Sequence, residues 1–168
     1  MAATRIGLLM VCAMILAACE GPAGDSEATE ARVQASPYPH GAALYERQCR
    51  ACHQSDGSGL GNHFPPLAGH APDLVQAEGG RAYFIDLVLY GLGGQIEIQG
   101  RTYSGVMPGF RRLSDKDVAA IINHSVTAWG GEDSLPEDFK PIQPEEVAER
   151  REERLNPNQV RERRPTME

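Results

Sequence analysis

The chain has 168 residues, of which 41% are hydrophobic and 23% charged, which suits one modest domain with appendages. Its net charge of −7 is uneven: residues 37–129 hold eight acidic and seven basic side chains, while residues 1–36 contribute −2 and residues 130–168 contribute −4. A near-neutral centre between acidic ends excludes nucleic-acid binding, which needs a basic face.

Residues 1–18 read as a targeting segment. Arg5 supplies the positive start, and Ile6 to Ala18 is an apolar run too short to span a bilayer comfortably. It closes on Leu16-Ala17-Ala18-Cys19, which resembles the bacterial lipobox. Cleavage before Cys19 and lipidation of its thiol would anchor the chain to a membrane, several acyl chains holding more firmly than one. The competing reading is an ordinary signal peptide with an incidental cysteine. Residues 19–36 are rich in Ala, Gly, Glu and Ser without apolar periodicity and predict a flexible tether. No other stretch is apolar enough to cross a membrane.

Residues 37–131 predict a compact domain. Gly41 to Arg50 is a short helical pattern with Leu44 and Tyr45 apolar. Ser55 to Pro72 is loop-like, rich in Gly and Pro. Arg81 to Tyr90 predicts a buried helix, ended by Gly91 to Gly94. Gln95 to Ser104 alternates around Gly100, as a small hairpin does. Ser114 is a candidate N-cap, followed by Asp115 and Asp117 and then by Val118, Ile121, Ile122, Ser125 and Trp129 at helical spacing. Residues 132–168 carry many charges, several prolines and few large apolar groups, and predict a disordered tail or docking extension.

The chain has four cysteines. Cys12 leaves with the signal segment and Cys19 takes the lipid, so Cys49 and Cys52 alone remain in the mature domain. Cys49-Arg50-Ala51-Cys52-His53 is a c-type haem attachment signature. Thiols at this spacing reach the vinyl groups of one porphyrin, and the histidine that follows is held beneath the iron. A dithiol pair or half a zinc site are the alternatives. The first would want a βαβ context and the second more ligands at matching spacing.

A sixth iron ligand decides between electron transfer and ligand chemistry. Among the methionines, Met1, Met10 and Met14 belong to the signal segment and Met167 to the tail, leaving Met107 in Gly105-Val106-Met107-Pro108-Gly109-Phe110. Gly and Pro there predict a stiff loop that presents the thioether. His40, His63, His70 and His124 are rivals, the middle two being nearest the haem loop. The His53 imidazole should give its other N–H to a backbone carbonyl, with Pro65 preferred and Pro66 as the alternative.

Together these residues resemble the class I c-type cytochromes over roughly residues 37–129. Gly41 and Tyr45 match that family's first helix, Phe64 to Gly69 resembles its Pro-x-Leu haem loop, and Val106-Met107-Pro108 its methionine segment. His124 departs from it, standing where a Tyr is usual in the helix contact with Gly41 and Tyr45. The resemblance implies an all-α fold of 3–5 helices around one covalent haem c, with a small β-hairpin. It implies a carrier of single electrons between redox protein partners on the periplasmic side, serving a respiratory chain or a dehydrogenase or oxidase. The alternative is a haem enzyme or gas sensor with a labile sixth ligand.

Overall fold

The computed structural model describes residues 23–167, with side chains from Ser26 onward. The expected signal segment 1–18 and Cys19 lie outside the described residues. Within the stretch expected as a tether, Ala23–Ala35 forms a helix, α1. Its Ala, Glu, Gln and Arg are good helix formers even without an apolar stripe. It runs beside α2 (Pro39–Gln48).

Helix α2 opens on a proline in its first turn, where the missing N–H has no partner to lose. It crosses α6 (Asp115–Thr127) at Gly41. A Cβ on Gly41 would collide with the Ala120 carbonyl and come within 3.0 Å of the His124 Cβ. Next to this crossing, Tyr45 is 1% exposed. Its ring meets those of His124 and Trp129 edge-on, at 5.4 and 5.1 Å. His124 thus packs into the α2–α6 contact, and the crossing persists. Helix α6 is capped as the sequence predicts: Ser114 Oγ accepts the Asp117 N–H at 3.2 Å. Val118, Ile122 and Val126, four residues apart, are all fully buried. The helix ends at Thr127, and Trp129 lies beyond it with φ 56°. Its indole N–H donates to the Ser55 carbonyl at 3.1 Å, tying α6 to the loop behind His53.

The Cys49 region continues into a single helical turn, α3 (Arg50–His53). The end of the segment read as loop, Ser55 to Pro72, runs into a further helix, α4 (His70–Gln76), whose brevity and internal Pro72 hide it from sequence patterns. Helix α5 (Gly80–Tyr90) is buried on most sides through Tyr83, Phe84, Ile85, Val88 and Leu89. It stops at Gly91, whose φ of 81° only glycine adopts freely. The antiparallel hairpin is longer than expected, β1 (Leu92–Ile98) and β2 (Arg101–Met107). Leu92 pairs with Met107, and the turn at Gln99-Gly100 has both residues left-handed. Helices α2 to α6 fall within the expected 3–5.

Residues 132–168 differ from their sequence reading. After a 3-10 turn (Gly131–Ser134) come α7 (Pro144–Arg151) and α8 (Pro157–Glu162). Ile142, Val147, Leu155 and Val160 are buried in the same core as α4, α5 and α6. Asn123 on α6 pairs with both backbone groups of Ile142, at 2.9 and 2.7 Å. Arg81 bonds Glu146, and Arg151 reaches Asp115. The sequence conceals this because each short element contributes about one buried apolar side chain, so no amphipathic period develops. Of the charges that suggest solvation, Glu146, Arg150, Arg151 and Arg163 form ion pairs with distant parts of the chain. Among the described residues, no helix is long and apolar enough to cross a membrane.

Candidate functional site

An open cleft lies between α3, α4, α5 and the hairpin. Its walls are mainly apolar, with Leu67, Phe84, Val88 and Ile96 among them. Cys49, Cys52 and His53 line one side and Met107 lines the hairpin side. The attachment signature and the methionine, far apart in sequence, therefore face one space.

His53 is 7% exposed. Its Nδ1 stands 2.9 Å from the Pro65 carbonyl oxygen. A carbonyl only accepts, so Nδ1 carries the proton and Nε2 keeps its lone pair for the cleft. Burial holds the imidazole below its ordinary pKa, partly offset by the bond to Pro65. The Pro65 carbonyl is held in place because Gly59 packs directly against it. A Cβ on Gly59 would come within 2.6 Å of that oxygen.

Cys49 and Cys52 are both free and half-buried. Burial, and then the neighbouring Cys52, push the Cys49 thiol up to about 12. A working dithiol redox pair needs the opposite, a stabilised thiolate. Among the described residues, no three His, Cys, Asp or Glu side chains converge as a metal-binding group. The zinc reading therefore has no ligand set.

Met107 is the last residue of β2 and not part of a free loop. Strand pairing with Leu92 fixes its backbone, and Pro108 and Gly109 turn the chain away afterwards. A Cβ on Gly91 would overlap the Met107 carbonyl, so Gly91 lets the end of α5 pass close beneath. Of the rival histidines, His40 is exposed and bonded to Asp117 at 2.6 Å. His124 sits in the α2–α6 contact, with Nδ1 3.0 Å from Ser36 Oγ. His63 and His70 both line the cleft. Sequence reasoning missed Tyr83, Tyr103 and Arg164, which line it too. The alternation of β2 could have flagged Tyr103, but nothing local marks Arg164.

Paired thiols, an imidazole nitrogen and a thioether around one apolar cleft fit a porphyrin attached through its vinyl groups. The fold and the site define a mono-haem c-type cytochrome, an electron-transfer protein with covalent haem c. The chain belongs to the family described as cytochrome c oxidase, cbb3-type, subunit III, which matches residues 36–124. It is 48% identical over 120 residues to cytochrome c-552 of Thermus thermophilus, covering 71% of this chain and 90% of that protein. It is 34% identical over 92 residues to the cytochrome c subunit of the quinone alcohol dehydrogenase of Gluconobacter oxydans, 54% of this chain but 18% of that protein. The cytochrome c subunit of gluconate 2-dehydrogenase from Pantoea cypripedii is 34% identical over 91 residues, again 54% of this chain and 20% of that protein.

Proposed function

We propose that the chain is a one-electron carrier whose haem is held by thioethers from Cys49 and Cys52 and ligated by His53 and Met107. The carrying observation is the His53–Pro65 bond, which leaves Nε2 unprotonated toward the cleft that Met107 also lines. The haem supplies a one-electron iron couple. The protein supplies fixed axial groups and a dry pocket, so little has to move on electron transfer. Thioether ligation raises the potential, and a filled sixth position leaves no opening for substrate. Partners would approach the mouth of the cleft. The large apolar side chains left in solvent, Val106 at 76% and Leu60 at 55%, lie next to Met107 and against Phe64. The cytochrome subunits of dehydrogenases among its relatives support a respiratory or dehydrogenase partner.

The same reading places the domain on the periplasmic face of a bacterial membrane. Cys19 carries the lipid, residues 1–18 are removed, and the following residues space the domain from the bilayer. Cys19→Ser should move the haem protein from the membrane to the soluble fraction. Equal membrane retention would remove the anchor from the proposal.

Met107→Ala tests the centre. It should abolish the weak long-wavelength band of sulfur-ligated ferric haem, lower the reduction potential and open the ferrous iron to CO. An unchanged band and potential would show that Met107 is not a ligand. CO binding by the parent protein at neutral pH would instead favour a gas sensor or enzyme.

A further inference from the structure

The cleft is not apolar throughout. His70 on α4, Tyr83 on α5, Tyr103 on β2 and Arg164 after α8 all line it. His70 and Arg164 also line the polar groove next door, so they stand where the apolar space meets a wet one. His70, Tyr83 and Tyr103 are at most 7% exposed. Among the described residues, none of these three side chains has a hydrogen-bond partner. Their polar atoms are not sealed off but keep access from the cleft, so each is open to a polar group bound there. Arg164 spends one N–H on the Glu97 carbonyl, at 2.8 Å, and no carboxylate pairs with it among the described residues. Its charge is felt locally: after burial, it is the cause that brings His70 down to about 4.

Three elements and the segment after α8 thus bring a cation and several unused donors to an otherwise apolar pocket. A haem is apolar except for the pair of propionate carboxylates along one edge. A buried carboxylate needs hydrogen bonds and an opposite charge. We infer that Arg164, with Tyr83 and Tyr103, binds the haem propionates, so that the C-terminal segment completes the haem site. Arg164 lies beyond the segment matched by the family, residues 36–124. This rests on the haem reading of the cleft.

The consequence is electrostatic. A fixed cation near the porphyrin offsets propionate charge and favours the reduced iron. The test is the midpoint potential of the full-length holoprotein and its variants. Arg164→Gln keeps an amide that can still bond the Glu97 carbonyl but removes the charge. Its potential should fall, shifting the equilibrium with a reference couple roughly tenfold, the scale of unit charges ~10 Å apart at an effective dielectric constant of ~20. Arg164→Lys should restore most of the shift. Tyr83→Phe, which deletes one hydroxyl without changing charge, should lower the potential by less, and carries the test alone if Arg164→Gln matures poorly. An unchanged potential in Arg164→Gln or in Tyr83→Phe, with the sulfur–iron band intact, would overturn the inference, as would a lysine variant as impaired as the glutamine one. A parent polypeptide that keeps no haem after acid–acetone extraction would overturn the haem reading and this inference together.

Discussion

Arg150 grips Asp86 with two bonds, Nε to Oδ1 at 2.9 Å and Nη2 to Oδ2 at 2.5 Å. The pair fastens α7 to α5 across 64 residues of sequence. Its two ends are unequal, with 1% of the Asp86 side chain exposed against 22% of Arg150.

That inequality predicts an asymmetry. Arg150→Ala leaves a buried carboxylate with only Arg163 nearby, at 3.6 Å, and should cost about 3–5 kcal/mol. Asp86→Asn leaves a guanidinium that can turn to water and should cost less, about 1–3 kcal/mol. Denaturant unfolding of both variants and the double mutant checks this. Equal costs, or strict additivity, would mean that the pair is not coupled as described.

Asn123 is the second fastening of the C-terminal segment. Asn123→Ala leaves both backbone groups of Ile142 without their partner inside the core. Stability should drop by about 2–4 kcal/mol. The absorption spectrum should not change, because Asn123 is not among the residues lining the cleft. A loss below about 0.5 kcal/mol would mean that water replaces the amide there.

Gly41→Ala separates propensity from packing. In an isolated helix alanine is better than glycine by about 1 kcal/mol. Here the added methyl meets the Ala120 carbonyl, so the variant should be destabilised by about 1–3 kcal/mol. A stabilised variant would show that α2 and α6 do not cross at this residue.

His124 predicts a pH dependence. Burial lowers its pKa to about 4, against about 6.5 in an unfolded chain. Between these values the unfolded chain binds more protons, so stability falls as pH drops through the window and levels off below it. His124→Tyr, which replaces the imidazole with another aromatic ring, should flatten part of this fall. His70, also lowered to about 4, leaves a residual slope. Denaturant midpoints at about pH 7 and about pH 4.5 measure it, and an unchanged difference in His124→Tyr would exclude His124 as a source.

The attachment signature, the α6 cap at Ser114 and the buried α5 were legible because each depends on residues close together in sequence. A thiol, two spacers, a thiol and an imidazole carry their chemistry locally, and so does a serine ahead of an acidic turn. Periods of 3.6 and 2 likewise reveal a helix or hairpin wherever one face is buried over several turns. Helix α4 escaped because seven residues with a proline give too little period to read. Met107 was legible as a residue, but its place at the end of β2 depends on pairing with Leu92.

By itself the sequence determined a c-type cytochrome, the Cys49–His53 attachment signature, and the helices that frame it. Tertiary structure decided that His53 and Met107 line one cleft, that the Pro65 carbonyl accepts a hydrogen bond from the imidazole N–H, and that Ile142, Val147, Leu155 and Val160 join the core. The physical reason is separation along the chain. Arg150 pairs with Asp86, Ile142 with Asn123 and Arg164 with the Glu97 carbonyl, and each partner lies on another element. Taken alone, such residues look like a solvated tail. Only folding brings the opposite charge or the open amide within reach.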